Sequence, residues 1–189
     1  MWNLPNILTL IRILMIPIFV VVFYLPWEGK HFAAAVIFAI AAMTDWLDGY
    51  LARKLNQFTP FGAFLDPVAD KLIVSAALLV LLQVHATAVF ALPALVIVSR
   101  EIVVSALREW MAELGQRTSV AVSYLGKVKT VLQMVAITVL LAVDPEKYPE
   151  WDVVGIVLLY VAAILTLWTM IIYLRTAWPE LSSKPDARD

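Results

Sequence analysis

The chain has 189 residues, of which 62% are hydrophobic and 15% are charged, with a formal net charge of −1. Together with a mean hydropathy of +0.87, this composition excludes an ordinary soluble core and indicates one membrane domain with several spans. The small net charge argues against a nucleic-acid partner. Because the chain has no cysteine, disulfides and cysteine-ligated metal sites are excluded, so any metal must bind oxygen or histidine ligands.

Hydropathy and helix-breaking residues predict an all-α fold of six transmembrane helices. The N-terminus is expected to be a retained first span rather than a secretory signal, because Arg12 interrupts its apolar run. The uncharged stretch 72–99 is too long for one perpendicular span, so we expect the chain to turn back at the weakly polar segment 83–87. The predicted helices are 4–25, 32–52, 63–84, 88–112, 127–143 and 153–176. We assign 1–181 to one transmembrane domain and 182–189 to a disordered polar tail.

Lysine and arginine are distributed unequally between the two sides of this layout. If the N-terminus is cytoplasmic, the outer loops contain only Lys30 and Lys147. The opposite side receives Arg53, Lys54, Arg108, Arg117, Lys127, Lys129, Arg175, Lys184 and Arg188. The positive-inside rule therefore predicts that both termini face the cytoplasm.

Four aspartates lie at the ends of two apolar runs, where carboxylates are costly. Asp45 and Asp48 end the second predicted helix, and Asp66 and Asp70 begin the third. The spacings of three and four residues place each pair on one helical face. Since the connection between the helices is short, the two pairs are expected to face each other. Four converging carboxylates repel one another unless one or two divalent cations balance them, and hard oxygen ligands select magnesium, manganese or calcium.

Small and basic residues accompany the aspartates. Gly49, Ala52 and Gly62 leave the backbone accessible to a bulky ligand or to another helix. Arg53 adds a planar cation suited to phosphate oxygens. This combination indicates a phosphate-containing substrate bound through metal at the membrane surface.

The eight positions Asp45, Asp48, Gly49, Ala52, Arg53, Gly62, Asp66 and Asp70 match the signature of the CDP-alcohol phosphotransferase family, which the chain resembles. The resemblance implies a six-helix fold, a homodimer and a CDP pyrophosphate held at a two-metal site by Asp45, Asp48 and Asp66. It also implies that Asp70 ligates or adjoins metal and is the base that deprotonates an attacking alcohol. It implies CDP-diacylglycerol as a donor bound by Asp48, Gly49, Ala52, Arg53 and Gly62. CMP then leaves and the product stays in the bilayer.

Further segments resemble the bacterial branch of that family that makes phosphatidylglycerophosphate, with glycerol 3-phosphate as the acceptor. These are Pro5-Asn6-x2-Thr9-x2-Arg12, Arg100-Glu101-Ile102-x5-Arg108-Glu109-Trp110-Met111-Ala112 and Gly126-Lys127-x-Lys129-Thr130. The resemblance implies a location in the bacterial inner membrane. An acceptor with its own phosphate needs cations, and the candidates are Arg100, Arg108, Arg117, Lys127 and Lys129. Positive-inside topology alone would also place basic residues there.

Several alternatives stay open at the level of sequence. One alternative keeps the same chemistry but has phosphatidylglycerol or an inositol phosphate as the acceptor. Another is a divalent-cation transporter, since intramembrane carboxylates also occur in that class of protein. Asn6, Thr9 and Arg12 follow helical spacing and either face the nucleotide or satisfy one another. Arg100 either lines a polar cavity or forms a structural ion pair, and we favour the cavity.

Overall fold

The computed structural model describes residues 3–55, 59–113 and 124–182, and all of its regular structure within these ranges is helical. The six helices are α1 (Leu4–Tyr24), α2 (Lys30–Leu55), α3 (Pro60–His85), α4 (Ala88–Glu113), α5 (Tyr124–Ala142) and α6 (Pro149–Ser182). The predicted all-α class and the order of the helices are confirmed. Of the predicted tail 182–189, Ser182 is the last residue of α6, and residues 183–189 lie outside the described residues.

The helix ends follow from local sequence. Asn3 caps α1 by accepting a hydrogen bond from the Asn6 backbone N–H, and Thr59 caps α3 in the same way for Gly62. A proline follows each cap within two residues, Pro5 in α1 and Pro60 in α3, and proline lacks the N–H that a first turn leaves unpaired. Ala86 ends α3 in the left-handed conformation, with φ 36°. The predicted turn within 83–87 is therefore confirmed.

Four of the helices are long and apolar enough to cross a membrane: α1, α3, α4 and α6. Within the part of the chain that was described, the apolar stretch of α5 is shorter, at Val128–Ala142, and α2 is not among these candidates. The side chains of residues 46 and 48–53 in α2 lie outside the described residues, and α1 and α5 pack against this helix. The fold is that of an all-α membrane protein, and the number of spans stays a prediction.

The packing brings α1 into contact with both α2 and α3, while α5 packs between α2 and α6. Buried apolar side chains fill the centre, among them Phe19, Phe38, Ile73, Ile137 and Leu159. Large apolar side chains on the outside stay exposed, such as Phe32 at 70% and Leu79 at 66%. An exposed apolar surface of this kind suits contact with lipid rather than with water.

Candidate active site

The aspartate signature lies where α2 ends and α3 begins. We call the end of the bundle formed by the last turns of α2 and the first turns of α1 and α3 the signature end. The structure describes the side chains of Asp45, Asp66 and Asp70 there, together with the buried Gly62. The side chains of four further signature positions lie outside the described residues: Asp48, Gly49, Ala52 and Arg53.

Two of the carboxylates are held from α1. An Arg12 guanidinium nitrogen, Nη1, donates to Oδ1 of Asp45 at 2.6 Å, and the Thr9 hydroxyl lies 2.8 Å from Oδ1 of Asp66. Both α1 residues are fully buried, whereas the Asp45 side chain is 45% exposed. The structure thus places Thr9 and Arg12 on signature carboxylates, which is neither of the two roles left open by the sequence.

Gly62 is buried against α1 rather than beside open space. Asn6 donates from Nδ2 to the Thr59 hydroxyl at 2.9 Å, and that hydroxyl also accepts the Gly62 N–H at 3.0 Å. A Cβ atom at position 62 would lie 2.5 Å from Oδ1 of Asn6. Close helix packing therefore accounts for this glycine in the structure, while its predicted contact with CDP-diacylglycerol stays a prediction.

Asp70 lies one helical turn after Asp66 on α3, and the next residue, Lys71, donates a hydrogen bond to the Ser105 hydroxyl on α4. The charges that act on its carboxyl group are those of Asp45, Glu101, Arg12 and Arg100. Among the described residues, none donates a hydrogen bond to Asp70. The predicted role of Asp70 as the base rests on the family signature and stays a prediction.

Arg100 is buried on α4 and pairs with the neighbouring Glu101. Its charge also acts on Asp70, so the ion pair and a position beside the polar site occur together. The structure shows the ion pair between Arg100 and Glu101, while the cavity role that we favoured for Arg100 stays a prediction. Glu101 is an additional acid at the site that the aspartate pattern does not reveal, because it belongs to another helix.

The described carboxylates do not form a complete metal cage. No group of three acidic or histidine side chains that would hold an ion was found among the described residues. The donors nevertheless fit a hard cation, because the second oxygens of Asp45 and Asp66 accept no hydrogen bond from any described residue. Because the side chain of Asp48 lies outside the described residues, the convergence of all four aspartates stays a prediction.

The basic residues predicted to bind the acceptor are described only in part. Lys129 is buried on α5, with an exposed fraction of 6%. Arg117 lies outside the described residues, as do the side chains of Arg108 and Lys127. Whether these five cations converge on one phosphate stays a prediction.

Further buried polar residues on α5 and α6 were not predicted from the sequence. Gln133 lies one turn later on α5, and Thr166 and Thr169 lie on the buried side of α6. Gly155 of α6 packs against Leu140 of α5. The Thr166 hydroxyl is buried without a hydrogen-bond partner among the described residues. In the sequence, Gln133 could have indicated a buried polar face on α5, because it lies four positions after Lys129.

Comparison with known proteins gives one consistent result. A family model described as CDP-alcohol phosphatidyltransferase matches residues 2–168. A protein from Pseudomonas fluorescens is 54% identical over 187 residues, which cover 98% of this chain and 94% of that protein. Proteins from Shigella flexneri serotype 5b and Escherichia coli K12 are 55% and 54% identical over 180 residues, covering 95% of this chain and 97% of each of them.

All three relatives are named CDP-diacylglycerol--glycerol-3-phosphate 3-phosphatidyltransferase. The matched family region includes every signature position, and the matched relatives extend over nearly the full length of the chain. The chain therefore belongs to the CDP-alcohol phosphatidyltransferase family.

Proposed function

We propose that this protein transfers the phosphatidyl group of CDP-diacylglycerol to glycerol 3-phosphate, giving phosphatidylglycerophosphate and CMP. The observation that carries the proposal is the complete aspartate signature at one end of the bundle, in a chain 54% identical to a relative of that name over nearly its full length. The reaction builds a phospholipid, so the protein acts in phospholipid biosynthesis.

The reaction forms one P–O bond and breaks another. The acceptor hydroxyl oxygen attacks the β-phosphorus of CDP-diacylglycerol, and the bond from that phosphorus to the oxygen bridging to the α-phosphorus breaks. The bridging oxygen leaves as part of CMP. Asp70 takes the hydroxyl proton as the new bond forms, because a free carboxylate is too weak a base to remove it beforehand.

Asp45, Asp48, Asp66 and Asp70 are the residues that would hold one or two magnesium or manganese ions. Bound metal supplies charge stabilisation for phosphoryl oxygens. Arg53 is proposed to bind the pyrophosphate of the donor, beside the backbone at Gly49 and Ala52. Each of these roles follows from the family signature together with the oxygen-donor chemistry of the residues.

The acceptor is proposed to be recognised by Arg100 and Lys129, with Arg108, Arg117 and Lys127 as further cations. Lys127→Gln and Lys129→Gln are expected to raise the KM for glycerol 3-phosphate more than the KM for CDP-diacylglycerol, because only the acceptor brings a separate phosphate dianion to these residues. Steady-state kinetics with each substrate varied in turn measures the split. Equal changes in both KM values would contradict acceptor recognition.

The proposed setting is a bacterial inner membrane, with the signature end and both termini on the cytoplasmic side and with the protein as a homodimer. The excess of lysine and arginine on that side supports the orientation. Family resemblance supports the dimer. Labelling of single cysteines introduced at residues 30 and 184 tests the orientation, since the natural chain has no cysteine.

The function is tested by CMP release from the purified protein in detergent. CDP-diacylglycerol is supplied with glycerol 3-phosphate, phosphatidylglycerol or an inositol phosphate, each with magnesium or with EDTA. We expect magnesium-dependent release with glycerol 3-phosphate alone. Preference for another acceptor would change the assigned product, and full release in EDTA would remove the metal from the mechanism. Manganese uptake into protein-containing liposomes without CMP release would indicate a transporter instead.

A further inference from the structure

We propose that α1 is a built-in support for the metal-binding carboxylates, in which Thr9 orients Asp66 and Arg12 supplies a standing countercharge to Asp45. Both are positioning residues that act through another side chain. The inference rests on the proposed metal site and deepens it, because it assigns part of the ion affinity to a helix that carries none of the signature aspartates.

The first argument is the geometry of Thr9. Its hydroxyl lies 2.8 Å from Oδ1 of Asp66 and 3.1 Å from the Pro5 carbonyl oxygen. One hydroxyl has one proton, and a carboxylate is a stronger acceptor than a neutral carbonyl. Donation to Asp66 therefore prevails and fixes the plane of that carboxylate. The second oxygen then has a set direction before any ion binds.

The second argument is the burial of Arg12. Its side chain is fully buried, at an exposed fraction of 0%, and it reaches Asp45 at 2.6 Å. Removing a guanidinium from water is costly unless an anion compensates for it. Arg12 thus offsets part of the repulsion among the carboxylates while no cation is bound.

The third argument is the placement of the two contacts along α1. Thr9 and Arg12 are one turn apart on the helix, yet they reach residues 57 and 33 positions away on α3 and α2. Asn6, one turn earlier, contacts Thr59 just before α3 begins. One face of α1 therefore joins both helices that carry the signature. In metal sites, hydrogen bonds to the ligands typically change affinity by about 10- to 100-fold when removed.

Manganese binding to the purified protein in detergent tests the role of Thr9, measured by the loss of the free-ion signal in electron paramagnetic resonance. Thr9→Val keeps the shape of the side chain and removes the donor, so we expect the Kd for Mn²⁺ to rise about 10-fold. Thr9→Ser restores the hydroxyl and is expected to bind within about 2-fold of the unmodified protein. The magnesium concentration needed for half-maximal CMP release should rise in Thr9→Val, with turnover recovering at saturating magnesium.

Thr138→Val is the matched control. The Thr138 hydroxyl donates to the Met134 carbonyl at 2.8 Å on α5, so the variant loses a helix hydrogen bond outside the α1 contacts. We expect its Mn²⁺ affinity to be unchanged. If Thr9→Val binds Mn²⁺ as tightly as the unmodified protein while Asp66→Asn loses binding, α1 support is refuted and the metal site stands. If the unmodified protein binds no Mn²⁺, the metal proposal itself fails.

Arg12 is tested by thermal unfolding in EDTA and in magnesium. Arg12→Met removes the countercharge, so we expect a lower Tm in EDTA and a larger rise of Tm on adding magnesium than in the unmodified protein. The added ion then replaces charge that the variant lacks. Arg12→Lys keeps the charge and should show a smaller metal-induced rise than Arg12→Met. Equal rises in all three proteins would overturn the countercharge role.

Discussion

The two ends of the helix bundle use polar residues in different ways. At the end opposite the signature, His85 contacts Asp152 at 2.7 Å through Nε2 and the Leu81 carbonyl at 3.0 Å through Nδ1. Both side chains of this pair are largely buried, and the His85 ring stacks on Phe90 with centroids 4.7 Å apart. At the signature end, by contrast, Asp45 and Asp66 are each held through one oxygen.

The difference teaches how to separate structural polar groups from chemical ones in this molecule. A histidine with both nitrogens engaged has its hydrogen-bonding capacity used within the fold. Carboxylates that are anchored on one side retain capacity for an ion or a substrate. Asp152 is also held through one oxygen, but its side chain is 13% exposed whereas that of Asp45 is 45% exposed. Exposure of an incompletely bonded carboxylate therefore favours chemistry at the signature end and a structural role at the other end.

The largest effect is expected from the signature carboxylates. Asp45→Asn and Asp66→Asn should each lower magnesium-dependent CMP release by at least about 100-fold, because metal contributes several kcal/mol to phosphoryl transfer. Asp70→Asn should lose turnover while keeping more of the affinity for the nucleotide, since it removes the proposed base. Initial rates and CDP-diacylglycerol binding distinguish the two cases.

These variants need evidence of folding, which size-exclusion profiles and Tm values provide. Near-normal turnover in correctly folded Asp45→Asn and Asp66→Asn proteins would contradict the catalytic assignment of the signature end. It would also remove the contrast between the two ends, because the unsaturated oxygens would then have no chemical role.

An intermediate effect is expected from glycine replacement. Gly62→Ala should displace Asn6, because the added Cβ would lie 2.5 Å from its Oδ1, and should disturb the caps and contacts that position Asp66. Gly155→Ala is the matched variant outside the signature end, where the Cβ would lie 2.6 Å from Cγ of Leu140. We expect both to lower Tm, and only Gly62→Ala to change the kinetics of the folded protein.

A double variant sharpens this comparison. Asn6→Ala removes the atom that Gly62→Ala would meet, so the combined change should be less harmful than the sum of the two single changes. Strictly additive losses of Tm and activity would instead indicate that Gly62 is needed for a ligand, as the signature predicts, and not for packing against α1.

The smallest effect on catalysis is expected from the opposite end. Asp152→Asn keeps the size of the side chain but removes the charge facing His85, so Tm should fall while CMP release by folded protein stays within about 2-fold, as expected for a change distant from the reacting groups. Activity measured below the Tm of the variant checks this. A large loss of kcat with an unchanged Tm would break the distinction between the ends.

Much of the fold was predictable because helices in a membrane are encoded locally. The predicted first helix, 4–25, ends within one residue of α1, and the predicted start of the fourth coincides with that of α4 at Ala88. The larger differences are at polar ends, such as α6, which continues to Ser182 beyond the predicted 176. The apolar pattern ends near residue 176, but the helix continues because backbone hydrogen bonding still favours it.

The candidate site was predictable only in part. The spacing of Asp45, Asp66 and Asp70 revealed the acids, because side chains three or four residues apart share a helical face. The partners of those acids were not visible, since Thr9 and Asp66 are 57 positions apart. Helical spacing grouped Thr9 with Arg12 without indicating which helix they would meet. Glu101 was named within the segment Arg100-Glu101-Ile102, but spacing along the chain could not indicate that its charge acts on Asp70.

The sequence by itself determined the all-α membrane class, the order of the helices and the family, because apolar length, helix caps and a short acidic signature are local properties of the chain. Tertiary structure alone decided that α1 holds the carboxylates of Asp45 and Asp66 and that Gly62 accommodates Asn6. These contacts depend on how three helices pack, and packing is set by the combined shape of distant segments rather than by the pattern within any one of them.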